Sequence, residues 1–332
     1  MLVLDMIFDV ARHKFSEGVM TVVAFAIAAM VISLYGVGSV NEVNMVDVAP
    51  LRYIVDDFIS RYPYLTAVVL LPIFVYSVLR MARSTVRVGI YSVSSLAMLA
   101  LGATTMFAVV MAQHYLYLMV VALLISEVLG RLLYCFGPNM RIHYLFTAML
   151  ALGVMPLMDS ALIPFVILLS ALVVIMRSTL RETLITLLGV LLPTFVYCYV
   201  EWFFGGGFVD AFVQVWSGVM VSQHAALVAY LTLPRLIFVG VVLFLTLCSI
   251  LFYYNARVTL TDVARTIWRL LLVVLLLLVA SLLVMPSASP ALVVVMVLIM
   301  TVLLPQFFVR IDVITATIAY VVLMLASVLS LL

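Results

Sequence analysis

Apolar residues run almost unbroken along this chain, and its polar residues gather in short clusters between the runs. A bilayer crossing needs about twenty mostly apolar residues. Runs of that kind cover 19–38, 64–80, 88–110, 115–133, 142–158, 161–177, 184–202, 231–254, 269–286, 290–309 and 312–331. The pattern predicts an all-α fold, a polytopic transmembrane helical bundle of about eleven spans in one integral membrane domain, 1–332. Several runs are short or closely joined, so the expected range is about ten to twelve.

Three stretches break the pattern. Residues 1–18 form an expected cytoplasmic interfacial segment, in which Asp5 and Asp9 share one face of MLVLDMIFDVA. No small-residue cleavage site follows convincingly, so the first run is expected to be retained as a span. Residues 39–63 form an outer loop with an interfacial helix that Pro50 starts. Leu51, Ile54, Val55, Phe58 and Ile59 fall on one face of that helix, and Arg52, Asp56 and Asp57 point elsewhere. Residues 203–230 read as an outer amphipathic or re-entrant segment, with the glycines at 205–207 making the turn into it.

Composition excludes a soluble domain. The chain is 68% hydrophobic and 9% charged, with mean hydropathy +1.40, against roughly 25% charge in a soluble protein. No polar stretch is long enough to fold in water. The formal net charge of +2 points to no acidic partner, and nothing suggests nucleic acid. Cys135, Cys198 and Cys248 lie in apolar runs without metal or redox spacing. No histidine pair has zinc spacing, and HExxH, GxSxG, Walker A and GxGxxG are absent. No metal and no cofactor is expected.

Charge sets the expected orientation. With the N-terminus in the cytoplasm, thirteen of the sixteen basic residues face inward. Only Arg52, Arg61 and Arg235 face out. The C-terminus then lies outside, and short loops with this arginine bias fit a bacterial inner membrane. The pentapeptides RSTVR (83–87) and RSTLR (177–181) each fall at the inner end of a span. Arg83, Arg87, Arg177 and Arg181 read as orientation signals that bind anionic headgroups, each pair stacking on one helix face. Five shared residues leave open whether the two arose by duplication.

Candidate chemistry lies in two places. Within the fourth run, Glu127 and Arg131 are spaced i,i+4 in the favourable order near the cytoplasmic end. They read either as an interfacial pair or as the gate of a transporter. Pro72 and Pro193 fall inside spans and should kink them, with Tyr197 near the second. On the outer side Glu42, Asp47, Asp56, Asp57, Glu201, Asp210 and His224, with Arg235, either are solvated or converge on an outward cavity. Adjacent Asp56 and Asp57 on a helix point roughly 100° apart, so they form no shared-proton dyad.

An acid in the first outer loop beside an interfacial helix resembles the layout of membrane glycosyltransferases that use polyprenyl-phosphate sugars. That resemblance implies that Asp47, Asp56 or Asp57 activates an acceptor or helps hold a metal near the phosphate, and that the substrate is lipid-linked. Three functions therefore stay open: a transporter or flippase for a lipidic or anionic substrate, such an enzyme, or a non-catalytic scaffold with membrane-protein partners. Membrane lipids are expected partners in each. The last three runs carry few polar residues and are expected to offer lipid or partner surfaces.

Overall fold

A computed structural model describes residues 15–36, 49–87, 95–111, 117–136, 142–177, 179–220, 224–257, 260–285 and 287–331. The first half contains α1 (Phe15–Gly36), α2 (Pro50–Arg61), α3 (Pro63–Arg87), α4 (Ser95–Val110), α5 (Leu118–Cys135), α6 (Ile142–Met158) and α7 (Ile163–Arg177). The second contains α8 (Leu180–Phe203), α9 (Phe208–Ser217), α10 (His224–Tyr230), α11 (Leu233–Ala256), α12 (Asp262–Val284), α13 (Pro290–Leu303), α14 (Pro305–Arg310) and α15 (Val313–Leu329). A 3-10 turn, Ser160–Leu162, joins α6 to α7, and another, Gly218–Met220, follows α9.

Among the described residues, six segments are long and apolar enough to cross a membrane: Tyr64–Thr85, Leu118–Cys135, Leu180–Phe203, Leu233–Asn255, Asp262–Val284 and Pro290–Arg310. Shorter apolar helices accompany them. The chain is an all-α, multi-pass, membrane-embedded bundle.

The bundle is built around α13. Every residue of Pro290–Leu303 is buried, against α4, α5, α11 and α12. This corrects the expectation that the run 290–309 offers a lipid or partner surface. A helix that is apolar all round suits lipid and protein interior equally, so hydropathy cannot separate them. Pro305 then breaks the helix, and a buried break needs a substitute partner for its backbone. Ser249 of α11 supplies it: its hydroxyl lies 2.8 Å from the Leu303 carbonyl and accepts from the Phe307 N–H at 3.0 Å.

Close packing elsewhere depends on glycine. Gly153 of α6 faces Val190 of α8, and Gly189 of α8 faces Met149 of α6. A Cβ at Gly153 would collide with the Val190 carbonyl, and one at Gly189 would lie 2.7 Å from Met149 Cβ. Small residues let membrane helices approach closely.

The two basic pentapeptides adopt different structures. RSTVR lies wholly within α3, where Ser84 and Thr85 are buried and donate to the carbonyls of Met81 and Ala82. In RSTLR, Arg177 ends α7, Thr179 caps α8 by accepting from the Glu182 N–H, and Arg181 belongs to α8. Arg177 and Arg181 therefore belong to different helices, which corrects the expectation that they share one helix end. A capping threonine ended the helix there.

Candidate functional site

Three polar centres stand out, beginning at the end of the bundle that carries α2. Arg52 of α2 is buried, with 8% of its surface exposed. Its guanidinium lies over the Tyr117 ring, 4.0 Å from the centroid, and its Nε is 3.5 Å from Asp56 Oδ2. Beneath it, Asp159 is fully buried at the end of α6. Asp159 accepts from the Ala161 N–H at 3.0 Å and from the Tyr117 hydroxyl at 3.4 Å. This corrects the expected rotation of α2: Arg52 turns inward, and Ile54 is exposed. A buried carboxylate attracts Arg52, one of two arginines on that helix, more strongly than lipid or water attracts one isoleucine.

The electrostatics follow from one guanidinium facing two carboxylates. Burial alone would lower the pKa of Arg52, but Tyr117, Asp159 and Asp56 raise it above its ordinary value. Burial raises both Asp56 and Asp159, with Arg52 pulling each the other way. Asp57, the neighbouring candidate, pairs instead with Arg61 on the helix surface at 2.8 Å.

A second group gathers where α9 folds back on α8. Gly205 takes φ 92°, a conformation glycine tolerates, and the chain turns there. Asp210, Gln214 and Ser217 share one face of α9, so the helix is amphipathic; Ala211 and Val215 are buried, and Val209, Phe212, Val213 and Trp216 are exposed apolar residues. Tyr197 donates to Gln214 Oε1 at 3.3 Å. Glu201 and Asp210 are exposed on this surface. The glycine of the following turn, Gly218, abuts Ser160, which brings this group to the α2 end. Arg235 acts locally, donating to the Tyr230 carbonyl at 2.9 Å and lying over that ring.

The third centre joins α3 to α5 and is partly exposed. Glu127 has nine residues of α5 before it and eight after, so it sits at the helix midpoint. The i,i+4 pair forms, with Arg131 Nε 2.6 Å from Glu127 Oε2. Two residues of α3 complete the cluster. Arg80 Nε is 3.1 Å from Glu127 Oε1, and the Tyr76 hydroxyl donates to the same oxygen at 2.5 Å. Gly130 leaves room for Arg80, whose Nε would lie 3.0 Å from a Cβ there.

Of the other candidates, Arg83 and Arg181 are exposed, and Arg87 and Arg177 end their helices. His224 begins α10, while its side chain lies outside the described residues, as do Glu42 and Asp47. Asp159, Tyr117, Arg80 and Tyr76 were missed as site residues. The available signals were a lone acid between two apolar runs and a tyrosine four residues before an intramembrane arginine. Among the described residues, no group of three or more His, Cys, Asp or Glu could hold a metal ion. No family model, curated protein or solved structure matches the chain.

Proposed function

We propose that this chain is a transporter or flippase of the bacterial inner membrane, acting on a lipidic or anionic substrate. On this reading it crosses about eleven times, with its N-terminus in the cytoplasm. The Glu127 cluster carries the proposal. Ionisable groups at mid-helix in a membrane cost about 2.5–3.5 kcal/mol each and are kept at functional positions. Here two guanidiniums share one carboxylate, so the cluster carries an excess positive charge suited to an anion passing between α3 and α5. The broken, buried α13–α14 pair adds support, because interrupted helices often line transport sites.

The glycosyltransferase-like reading draws on the acids at the α2 end. Its described candidates are already engaged, Asp56 with Arg52 and Asp57 with Arg61. A carboxylate held in an ion pair is a poor general base. The transport reading is therefore the stronger.

Proteoliposomes holding a fluorescent phosphatidylglycerol test it. Wild-type protein should expose inner-leaflet probe to an impermeant quencher, and Glu127→Gln should return exposure to the protein-free level. Wild-type vesicles indistinguishable from protein-free ones sink the flippase reading. Orientation is read separately. Cysteines introduced as Arg83→Cys and Phe204→Cys should label from opposite faces of sealed vesicles, position 83 from the cytoplasmic one.

A further inference from the structure

Where the last turns of α11 meet the first turns of α12, a cavity of about 670 Å³ opens, lined by Tyr253, Tyr254, Arg257, Arg265, Arg269 and Leu272. It shares no residue with the Glu127 cluster. Arg265, Arg269 and Leu272 follow i, i+4, i+7 spacing and so share one face of α12. Tyr253 and Arg257 share a face of α11 in the same way. The wall between them is stiff, because Tyr253 stacks on fully buried Trp268 with centroids 4.5 Å apart and planes 11° apart.

Charge in this cavity is unbalanced. Among the described residues, three guanidiniums meet one nearby carboxylate, Asp262, which pairs with Arg265 at 2.6 Å and is 93% exposed on its side chain. Arg257 and Arg269 pair with no carboxylate among the described residues. Arg265 Nε is buried and has no hydrogen-bond partner. Like charges held together around an open volume repel, and a buried N–H without an acceptor is costly. An anion with several acceptor oxygens relieves both. Phosphate suits the guanidinium fork, which can bond two of its oxygens in parallel.

We propose that this cavity binds the phosphate-bearing headgroup of an anionic amphiphile. The phosphate engages Arg257, Arg265 and Arg269, and the adjoining apolar part lies against Tyr253, Tyr254 and Leu272. The volume falls within the range of roughly 300–1,000 Å³ usual for ligand sites. The proposal goes beyond the transport reading, since binding here holds whether or not the protein moves its ligand.

The test uses full-length protein in neutral detergent, offered phosphatidylglycerol or phosphatidylcholine, with retained lipid read by native mass spectrometry. Wild-type protein should retain phosphatidylglycerol preferentially. Arg265→Gln with Arg269→Gln should lower that retention about tenfold or more, the equivalent of losing a charge-assisted bond. Arg61→Gln with Arg310→Gln removes the same charge from exposed positions and should leave retention unchanged. Thermal stability in inorganic phosphate distinguishes the source. Protection of wild type but not of the Arg265/Arg269 variant assigns the site to a soluble phosphate compound. Equal lipid retention by wild type and that variant, with no phosphate protection, overturns the proposal. So does an equal loss in the Arg61/Arg310 control. If the double variant melts early, Arg257→Gln alone replaces it, with the same outcomes.

Discussion

At the α2 end, Arg52 is enclosed by Asp56, Asp159 and the Tyr117 ring. At the α11–α12 junction, Arg257, Arg265 and Arg269 surround an open cavity and face one solvent-exposed carboxylate. The residue type is the same and the energetics are opposite. Arg52 gives up its hydration for fixed partners, so it holds α2 onto the bundle and has little left to offer a ligand. The cavity arginines keep their mutual repulsion and an unfilled donor at Arg265 Nε, which a bound anion can relieve. Buried charge surrounded by partners is architecture, whereas surplus charge around empty volume is a site.

The sharpest way to break the contrast is to remove the floor of the closed centre. Asp159→Ala takes away the acceptor for Ala161 N–H and the Tyr117 hydroxyl, and leaves Arg52 facing Asp56 alone. A loss of about 3 kcal/mol is expected in denaturation from mixed micelles. Combining it with Arg52→Met should cost less than the two single losses added, because the two residues share one network.

Acidity sharpens the contrast with a smaller effect. The folded state holds protons on Asp56 and Asp159 more tightly than the unfolded state, since burial raises both above the ordinary carboxylate value of 3.8. Stability from these groups is therefore present in acid and falls as pH rises from 3.8 through the raised values. Asp159→Asn keeps the shape without the titration. Melting curves from about pH 4 to about pH 8 should show wild type losing ground to this variant as pH rises. Parallel curves would show that Asp159 does not titrate in that window.

The smallest effect belongs to Asp57 and Arg61, a pair on the helix surface. Arg61→Ala should change stability by no more than about 0.5 kcal/mol. A larger loss would mean that α2 is held by its outer face as well as by Arg52.

Much of the fold is legible in the residues, and the reasons are local. Among the described residues the apolar runs are helical, 290–309 as two helices, because nothing else satisfies their backbone in lipid. The Glu127–Arg131 pair was legible because both residues lie on one helix, four apart. Their partners Tyr76 and Arg80 were not, because they reach Glu127 from another helix, Tyr76 across 51 positions. The rotation of α2 was misread for the same reason. Its aliphatic residues favour one face, and the group that turned it, Asp159, lies far along the chain.

By itself, the sequence determines that this chain is helical and membrane-embedded, because hydropathy and helical spacing act within one segment at a time. Tertiary structure decides which apolar helix is core and which faces lipid, since α11, α12 and α13 are about equally apolar. It also decides which arginines are enclosed and which surround open space. A charge takes its meaning from what lies within a few ångströms of it, and in a bundle those neighbours come from other helices.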